Sequence, residues 1–411
     1  MLFGIDFLNF DILSAIIFLI LMCIFLYIKR DNLVIQSGIK LGKIPILYFL
    51  LLKTKIGLKL MDKIAEKYRE PVKLFGYIAI GVGFIGMLLV TFMMVFSVVL
   101  LFTRPDIENG AALLVPFTTI PGFGYLSFWH FIISIFCIAT IHEFAHGVVA
   151  RAHDITVKNS GTGAMGLIVP LIPLAFVEPD EEQMKKKSDI AQYSVFAAGP
   201  FINIIIGIFL YLLFIFAFVP METNMIEQNG FSFDLINDSY PASIAGMTTS
   251  TIVTLNGDEI TNFWDFHEKM NCVRPGESIT IGTDKGDYSL ITTTSPDNEN
   301  KGFIGIKPIE NKIALKEEYK PFSKQFFWIK GLFQWLYRLN LLVGFFNLLP
   351  ILIVDGGRMF QIATGKIFPD KKKSDKIIKI IAMILGAIIV IMLAKTYLPK
   401  LINLLSYLIG F

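Results

Sequence analysis

The sequence predicts a polytopic α-helical membrane protein of about six transmembrane helices, with a re-entrant β-hairpin or loop and one inserted small β-rich domain. Of its 411 residues, 54% are hydrophobic and only 17% are charged, and the mean hydropathy is +0.62. Such a composition is too apolar for a soluble globular protein. The net charge of +3 is small, and no nucleic-acid partner is expected.

Apolar runs long enough to cross a bilayer as helices recur along the chain, since about 20 residues span the hydrocarbon core. They lie at about 12–28, 74–103, 126–150, 191–219, 328–349 and 377–398. The run 45–52 is too short to cross and is flanked by lysines, so we expect it at the membrane interface. The N-terminus carries acidic residues and no small-residue cleavage site, so no cleavable signal is expected. Whether the apolar residues 399–411 form a further element stays open.

The placement of lysine and arginine predicts the orientation. The loop 29–73 is rich in both and therefore faces the cytoplasm by the positive-inside rule. Counting crossings from this loop puts 151–190 and 350–376 inside as well, and each contains three consecutive lysines. The segment 220–327, which is acidic over most of its length, falls outside.

A His-Glu-x-x-His pattern lies near the inner end of the third apolar run, at His142, Glu143 and His146. Histidines at positions i and i+4 share one helical face, where two imidazole nitrogens can converge on a metal ion. Glu143 can take a proton from water held by that metal. The alternative is a pair of core histidines bonded to backbone carbonyls. Buried polar groups in a span are costly and usually functional, which favours the metal site. Cys137 is expected to be a packing residue.

The third metal ligand is predicted at Asp355, an isolated acid within apolar sequence that needs a partner. Pro350 interrupts the fifth apolar run, and the pair Gly356-Gly357 lets the backbone approach the site closely. The alternative is that Asp355 caps a helix at the membrane surface.

Two further segments do not fit a spanning helix. Residues 161–180 are apolar but rich in glycine and proline. Non-helical backbone at membrane depth persists only against protein or a wet cavity, so these residues predict a re-entrant hairpin or loop beside the metal site.

In the outer segment, short runs of alternating apolar and polar residues and the Asn256-Gly257 turn signal predict a β-rich domain with a helix around Phe263–Met270. Its strands are expected at 251–255, 278–281 and 288–291.

These motifs resemble those of the site-2 protease family of intramembrane zinc metalloproteases. The His-Glu-x-x-His pattern matches the first family signature, and Asn347-x-x-Pro350 with the following Asp355-Gly356 matches the second. Residues 198–203 match a third, weaker signature. The outer segment is similar to a PDZ domain, and the residues that carry this likeness are 240–247 and 252–260. The resemblance covers about residues 126–360.

The resemblance implies Zn²⁺ bound by His142, His146 and Asp355, with Glu143 as general base and acid. Three protein ligands would leave a fourth position for water, whose pKa the metal lowers. The expected reaction is hydrolysis of peptide bonds within the transmembrane segments of membrane proteins. Alternatives from other classes are an inactive PDZ-bearing membrane scaffold, against which the intact Glu143 argues, and a metal transporter.

A substrate helix must unwind locally before its backbone can be cut. The resemblance makes Asn347 a candidate for binding the exposed backbone, and the alternative is a hydrogen bond between helices. The segment 163–170 is expected to pair with the substrate as an added strand. Gly199 and Pro200 are expected to be packing residues.

The expected organisation has four parts. Residues 1–125 form N-terminal helices and the basic loop, 126–220 and 321–411 form the protease core, and 221–320 form the PDZ-like domain. The expected partners are substrate transmembrane segments, the lipid bilayer and a peptide or protein ligand of the PDZ-like domain. The expected location is the cell membrane, with the active site near the cytoplasmic side and the PDZ-like domain outside.

Overall fold

The computed structural model of the protein describes residues 4–41, 44–104, 113–120, 122–167 and 169–409. The chain divides into two compact units. Unit 1 consists of Met1–Leu213 together with Lys330–Phe411, and unit 2 consists of Phe214–Ile329.

Helices account for most of the described residues of unit 1. In chain order the α-helices are α1 (Gly4–Ile28), α2 (Leu58–Lys67), α3 (Arg69–Thr103), α4 (Phe128–Ala152), α5 (Glu181–Lys186), α6 (Asp189–Leu213), α7 (Val219–Met225), α8 (Pro241–Ile244), α9 (Phe263–Met270), α10 (Lys320–Phe346), α11 (Asp355–Ile367) and α12 (Lys371–Ile409). A π-helical turn, Phe214–Phe218, joins α6 to α7.

Within the described residues, five helical stretches are long and apolar enough to cross a membrane. They are Phe10–Ile28, Arg69–Thr103, Phe128–Ala152, Asp189–Met225 and Lys371–Asn403. The protein is therefore a multi-pass membrane protein. The predicted run 328–349 falls mainly on α10, which is not among the five. Residues 399–409 continue α12 and do not form a separate element.

The strands form separate antiparallel sheets. In chain order they are β1 (Leu33–Leu41), β2 (Ile44–Thr54), β3 (Thr118–Ile120), β4 (Gly124–Leu126), β5 (Val157–Leu167), β6 (Val169–Pro179), β7 (Ile226–Leu235), β8 (Thr251–Leu255), β9 (Asp258–Glu259), β10 (Ser278–Thr283), β11 (Gly286–Ile291), β12 (Thr293–Ser295), β13 (Asn298–Phe303) and β14 (Ile306–Leu315). Unit 1 has a four-stranded sheet in the order β1-β2-β5-β6 and a small β3-β4 hairpin.

The hairpin predicted at 161–180 is confirmed as β5 and β6, and the short run 45–52 lies in β2. The glycines of β5 allow this arrangement. A Cβ on Gly161 would overlap the carbonyl oxygen of Leu52 and lie 2.8 Å from the ring of Phe176. The strands therefore approach more closely than a side chain at this position would permit.

Capping at both ends fixes the length of α4, the helix that carries the His-Glu-x-x-His pattern. At its start, Oγ of Ser127 accepts the backbone N–H of His130 at 3.3 Å. The buried Asp11 of α1 also accepts the N–H of Phe128 at 2.9 Å. These two acceptors satisfy donors that the helix itself leaves open. The helix ends before Asp154, which adopts a left-handed conformation with φ of 57°.

Unit 2 has a core of its own. Its main sheet has the order β11-β10-β8-β7-β14, with β9 paired to β8. Phe231, Phe233, Ile252 and Ile281 are fully buried between this sheet and its helices. The predicted helix Phe263–Met270 and the predicted strands are confirmed. The Asn256-Gly257 turn joins β8 to β9 with positive φ at both residues.

Candidate metal centre

The two histidines of α4 face one point inside unit 1. The ring centroids of His142 and His146 are 4.7 Å apart, and the side chains are almost completely buried. Together with Glu143, they offer three ligand atoms that all lie within 4.8 Å of one another. This is the arrangement expected for two imidazoles one helical turn apart.

Asp355 lies at the same point, although it is more than 200 residues further along the chain. One of its carboxylate oxygens, Oδ2, is 3.0 Å from Nε2 of His142 and 3.3 Å from Nε2 of His146. A single oxygen thus faces both ring nitrogens. Two imidazole nitrogens and one carboxylate oxygen are a donor set that suits zinc.

The chain between α10 and α11 brings Asp355 to this position. The helix α10 ends at Phe346, and Asp355 is the first residue of α11. Between them the backbone folds back, so that the N–H of Gly356 donates to the carbonyl of Asn347 at 2.7 Å. A Cβ on Gly357 would lie 2.6 Å from the backbone nitrogen of Leu352. The glycine pair is therefore required by close backbone packing, as the sequence predicts.

Hydrogen bonds behind the histidines fix which nitrogen of each ring faces Asp355. Nδ1 of His146 donates to the carbonyl of Val195 at 2.6 Å. This bond leaves Nε2 with a free lone pair for a metal. Nδ1 of His142 lies 3.0 Å from the amide of Asn203, a residue of α6 that is fully buried.

The amide of Asn203 fits a metal-bound His142. Its oxygen Oδ1 is buried and has no hydrogen-bond partner among the described residues. Turning the amide by 180° would let Oδ1 accept a hydrogen bond from Nδ1 of His142. Nε2 of His142 would then also present its lone pair to a metal.

Gly199 keeps the space beside the two histidines free. A Cβ at this position would lie 2.6 Å from Nε2 of His142 and closer still to Nε2 of His146. Any side chain on Gly199 would therefore occupy the space that these ligand atoms face. Gly199 and Asn203 are one helical turn apart, so α6 presents both to the site.

Glu143 contacts the sheet. Its Oε2 accepts the backbone N–H of Val177 in β6 at 3.0 Å.

Glu178, which follows Val177 in β6, links three strands of the sheet, because its carboxylate accepts hydrogen bonds from Lys53 of β2 and Asn159 of β5. These hydrogen bonds, that from Asn159 first, lower the pKa of Glu178 below its ordinary value of 4.5.

The structure brings His142, Glu143, His146 and Asp355 together. Asn347 is different, because its side-chain amide donates at 3.1 Å to the carbonyl of Val343 in α10, the helix that ends one residue before it. The alternative for Asn347 was a hydrogen bond between helices, whereas the bond in the structure goes to the last turn of the preceding helix.

Comparisons with known proteins agree with this geometry. The sequence model of Peptidase family M50 matches residues 130–393, which is well over half of the chain. The chain belongs to Peptidase family M50. This family consists of zinc-dependent intramembrane metalloproteases, so the protein is a membrane metallopeptidase by descent. The matched region contains both the His-Glu-x-x-His helix and Asp355.

Individual proteins are also similar to this chain. An uncharacterized protein of Methanocaldococcus jannaschii is 28% identical over 377 residues, which cover 90% of this chain and 89% of that protein. The crystal structure of the PDZ domain of an SdrC-like protein from Listeria monocytogenes is similar at 16% identity and a TM-score of 0.18. It covers 20% of this chain and 88% of that domain. A similarity of this size does not assign a fold to unit 2.

Sequence reasoning assigned Gly199 to packing and gave Asn203 no role beyond its place in the weak third signature. The signal was present, because an asparagine is rare in a spanning run and lies one turn after a glycine. What the sequence lacked was the partner, since the pairing of α6 with α4 becomes known only from the fold.

Proposed function

We propose that this M50 protein is an intramembrane zinc metalloendopeptidase that hydrolyses peptide bonds within the transmembrane segments of other membrane proteins. The observation that carries this proposal is the meeting of His142, His146 and Asp355 at one buried point, with both histidines on a helix long enough to span a membrane. Glu143 lies beside them on the same helix.

His142, His146 and Asp355 would hold the zinc, and three tests of fit support this. The donor set is right for zinc, Gly199 leaves the required space, and the unpartnered oxygen of Asn203 can complete the orientation of His142. When bound, zinc supplies a Lewis acid that activates water and polarises the peptide carbonyl.

Glu143 would serve as the general base and then as the general acid. It takes a proton from the attacking water and delivers it to the amine that leaves. Its hydrogen bond to the N–H of Val177 holds the carboxylate in one orientation, so less reorganisation is needed when the reaction begins.

The substrate would bind as an extended strand along β6. The segment 163–170 was the one expected to pair with the substrate. Residues 163–167 cannot accept an added strand, because they belong to β5 and already pair with β2 on one side and β6 on the other. The N–H of Val177 points away from β5 towards Glu143, so β6 has an outer edge beside the site. An extended substrate added at this edge would gain backbone hydrogen bonds that compensate for unwinding its helix.

Prolines limit the length of this edge. Alternate residues of a strand direct their N–H groups to the same side, so Pro173, Ala175 and Pro179 share the orientation of Val177. Proline has no N–H, and the N–H of Val177 is bonded to Glu143, which leaves Ala175 to donate to a substrate between the two prolines. A substrate strand would therefore be aligned over a few residues next to Glu143. Asn347 would contact the same strand if its amide leaves the carbonyl of Val343.

Unit 2 would act as a selectivity filter for substrates. From the charge distribution of the loops, we propose that the active site lies near the cytoplasmic side and that residues 221–320 lie outside. A PDZ-like domain there would bind a peptide or protein ligand. Deleting residues 222–320 should then broaden the range of proteins that are cut, and unchanged selectivity would contradict this role.

The test of the proposed reaction is the variant Glu143→Gln. It should bind zinc as wild type does, because it keeps all three ligands, but should lose cleavage of a single-pass segment by several orders of magnitude. Zinc is measured by elemental analysis and cleavage in proteoliposomes. The control is Glu182→Gln, an exposed glutamate of α5. Undiminished cleavage by Glu143→Gln with zinc bound would refute the mechanism.

A further inference from the structure

The helix α2 has two contrasting faces. Its buried face, formed by Leu58, Met61 and Ala65, packs against the end of α4. Met61 lies so close to Gly147 that a Cβ on this glycine would be 2.6 Å from the methionine sulfur.

The opposite face of α2 carries a stripe of lysines. Lys59, Lys63 and Lys67 follow one another at intervals of four residues and are all exposed, so they line one side of the helix. We call these three residues the lysine stripe. Glu66 is the exposed acid beside it, and no ion pair within the described part of the chain joins it to the stripe.

Apolar side chains lie next to the lysine stripe. Leu60 is 52% exposed in α2, and Ile56, just before the helix, is 80% exposed. A surface that combines lysines with exposed aliphatic residues is unfavourable in bulk water. It is typical of segments that lie in the headgroup region of a bilayer.

The contacts of α2 set its depth. Asp62 forms an ion pair at 2.9 Å with Arg151, which is one residue from the end of the candidate span Phe128–Ala152. A second candidate span, Arg69–Thr103, begins two residues after α2 ends. The helix therefore lies beside the last two turns of one span and at the start of another. That level corresponds to phospholipid headgroups rather than to open solvent.

We propose that the lysine stripe binds the headgroups of anionic phospholipids, with Ile56 and Leu60 at the acyl boundary. The charge of the stripe is complementary to these phosphates, and its depth matches theirs. Each lysine near an anionic membrane surface strengthens association roughly fivefold. Neutralising the three lysines should therefore weaken the preference for anionic lipid by roughly 100-fold.

This binding would fix α2 against the metal-carrying part of α4. Met61 packs on Gly147, the residue that follows His146. The headgroup site is nevertheless independent of catalysis, because the lysine stripe is on the opposite face from Met61. Lipid binding can be measured whether or not the protein cleaves a substrate.

The experiment compares binding of dioctanoyl phosphatidylglycerol and dioctanoyl phosphatidylcholine to the full-length protein in detergent, by native mass spectrometry. Wild type should prefer phosphatidylglycerol. The variant Lys59→Gln/Lys63→Gln/Lys67→Gln should lose this preference, and the corresponding arginine variant should keep it. The control changes Lys285 and Lys307, two exposed lysines of unit 2 outside the five candidate spans, to glutamine and should behave as wild type. Glycerol phosphate, which lacks acyl chains, should not compete at equal concentration.

A second measurement does not depend on detergent. Amide hydrogen exchange in residues 56–67 should be slower in nanodiscs of phosphatidylglycerol than in nanodiscs of phosphatidylcholine, and the glutamine variant should show no difference. Equal binding of both lipids by wild type, or equal loss of preference in the Lys285→Gln/Lys307→Gln control, would overturn the proposal. Full competition by glycerol phosphate would show a phosphate site instead and would also overturn it.

Discussion

The space beside the two histidines depends on Gly199, and the variant Gly199→Ala tests this directly. Its new Cβ would lie 2.6 Å from Nε2 of His142, whereas real Cβ atoms essentially never approach closer than 3.0 Å. Nε2 of His142 must then move by about 0.4 Å, and Nε2 of His146 by more. Metal–ligand distances tolerate only about ±0.2 Å, so both ligands are displaced beyond that range.

We expect Gly199→Ala to weaken zinc binding at least about 100-fold, which corresponds to about 2.7 kcal/mol. Affinity is measured by competition with a chelator of known strength, and bound zinc per protein by elemental analysis. The matched control is Gly207→Ala on the same helix, where the new Cβ would lie 2.7 Å from the side chain of Leu341. This variant suffers a comparable clash far from the histidines, so it should lose thermal stability but keep its zinc.

The two variants separate a metal-site effect from general overpacking of α6. If Gly199→Ala binds zinc as tightly as wild type, the space beside the histidines is not used by the metal. If Gly207→Ala loses zinc to the same extent, the effect arises from packing alone. Either result would refute the reasoning.

Three other predictions concern different parts of the molecule. Asn203→Ala removes the hydrogen-bond partner of Nδ1 of His142 and should weaken zinc binding by about 10- to 100-fold, measured by competition with a chelator. Asn203→Asp should restore part of the lost affinity. The pKa of Glu178 is lower in the folded protein than its ordinary value of 4.5. The ionised carboxylate therefore stabilises the folded state above pH 4.5, and this stabilisation is lost as the pH falls through the pKa of the folded protein. The midpoint of thermal unfolding should therefore fall more steeply below pH 4.5 in wild type than in Glu178→Gln, and parallel curves would contradict this. Phe231→Ala empties a fully buried position and should destabilise unit 2 by about 3–5 kcal/mol, seen as faster proteolysis within 214–329 but not within unit 1.

The three candidate metal ligands could be singled out from the sequence because each is chemically out of place. His142, His146 and Asp355 are polar residues in apolar surroundings, where an unpaired group is too costly to retain. The 3.6-residue period of a helix then places two of them on one face. The order of the membrane crossings predicts Asp355 at the same depth as the two histidines. Its Oδ2 lies 3.0 Å from Nε2 of His142 and 3.3 Å from Nε2 of His146, in agreement with this prediction.

The remaining features of the site depend on long-range pairing that periodicity does not encode. The segment 163–170 is expected to pair with the substrate, but the pairing of β5 with both β2 and β6 makes 163–167 internal and leaves β6 as the last strand of the sheet. Likewise, Asn347 belongs to a family motif, yet its amide is bound to the last turn of the preceding helix. Gly199 is informative only once α6 is known to pack against α4.

The central claim is that zinc-dependent hydrolysis occurs inside a transmembrane segment. The most direct measurement is mass spectrometry of fragments from a single-pass substrate, cut by the purified protein in proteoliposomes made in ¹⁸O-labelled water. We predict a cut within the apolar segment, one ¹⁸O atom in the new carboxyl terminus, loss of cleavage with a chelator and recovery with zinc. Cleavage confined to residues outside the apolar segment, or cleavage that persists without metal, would contradict the account.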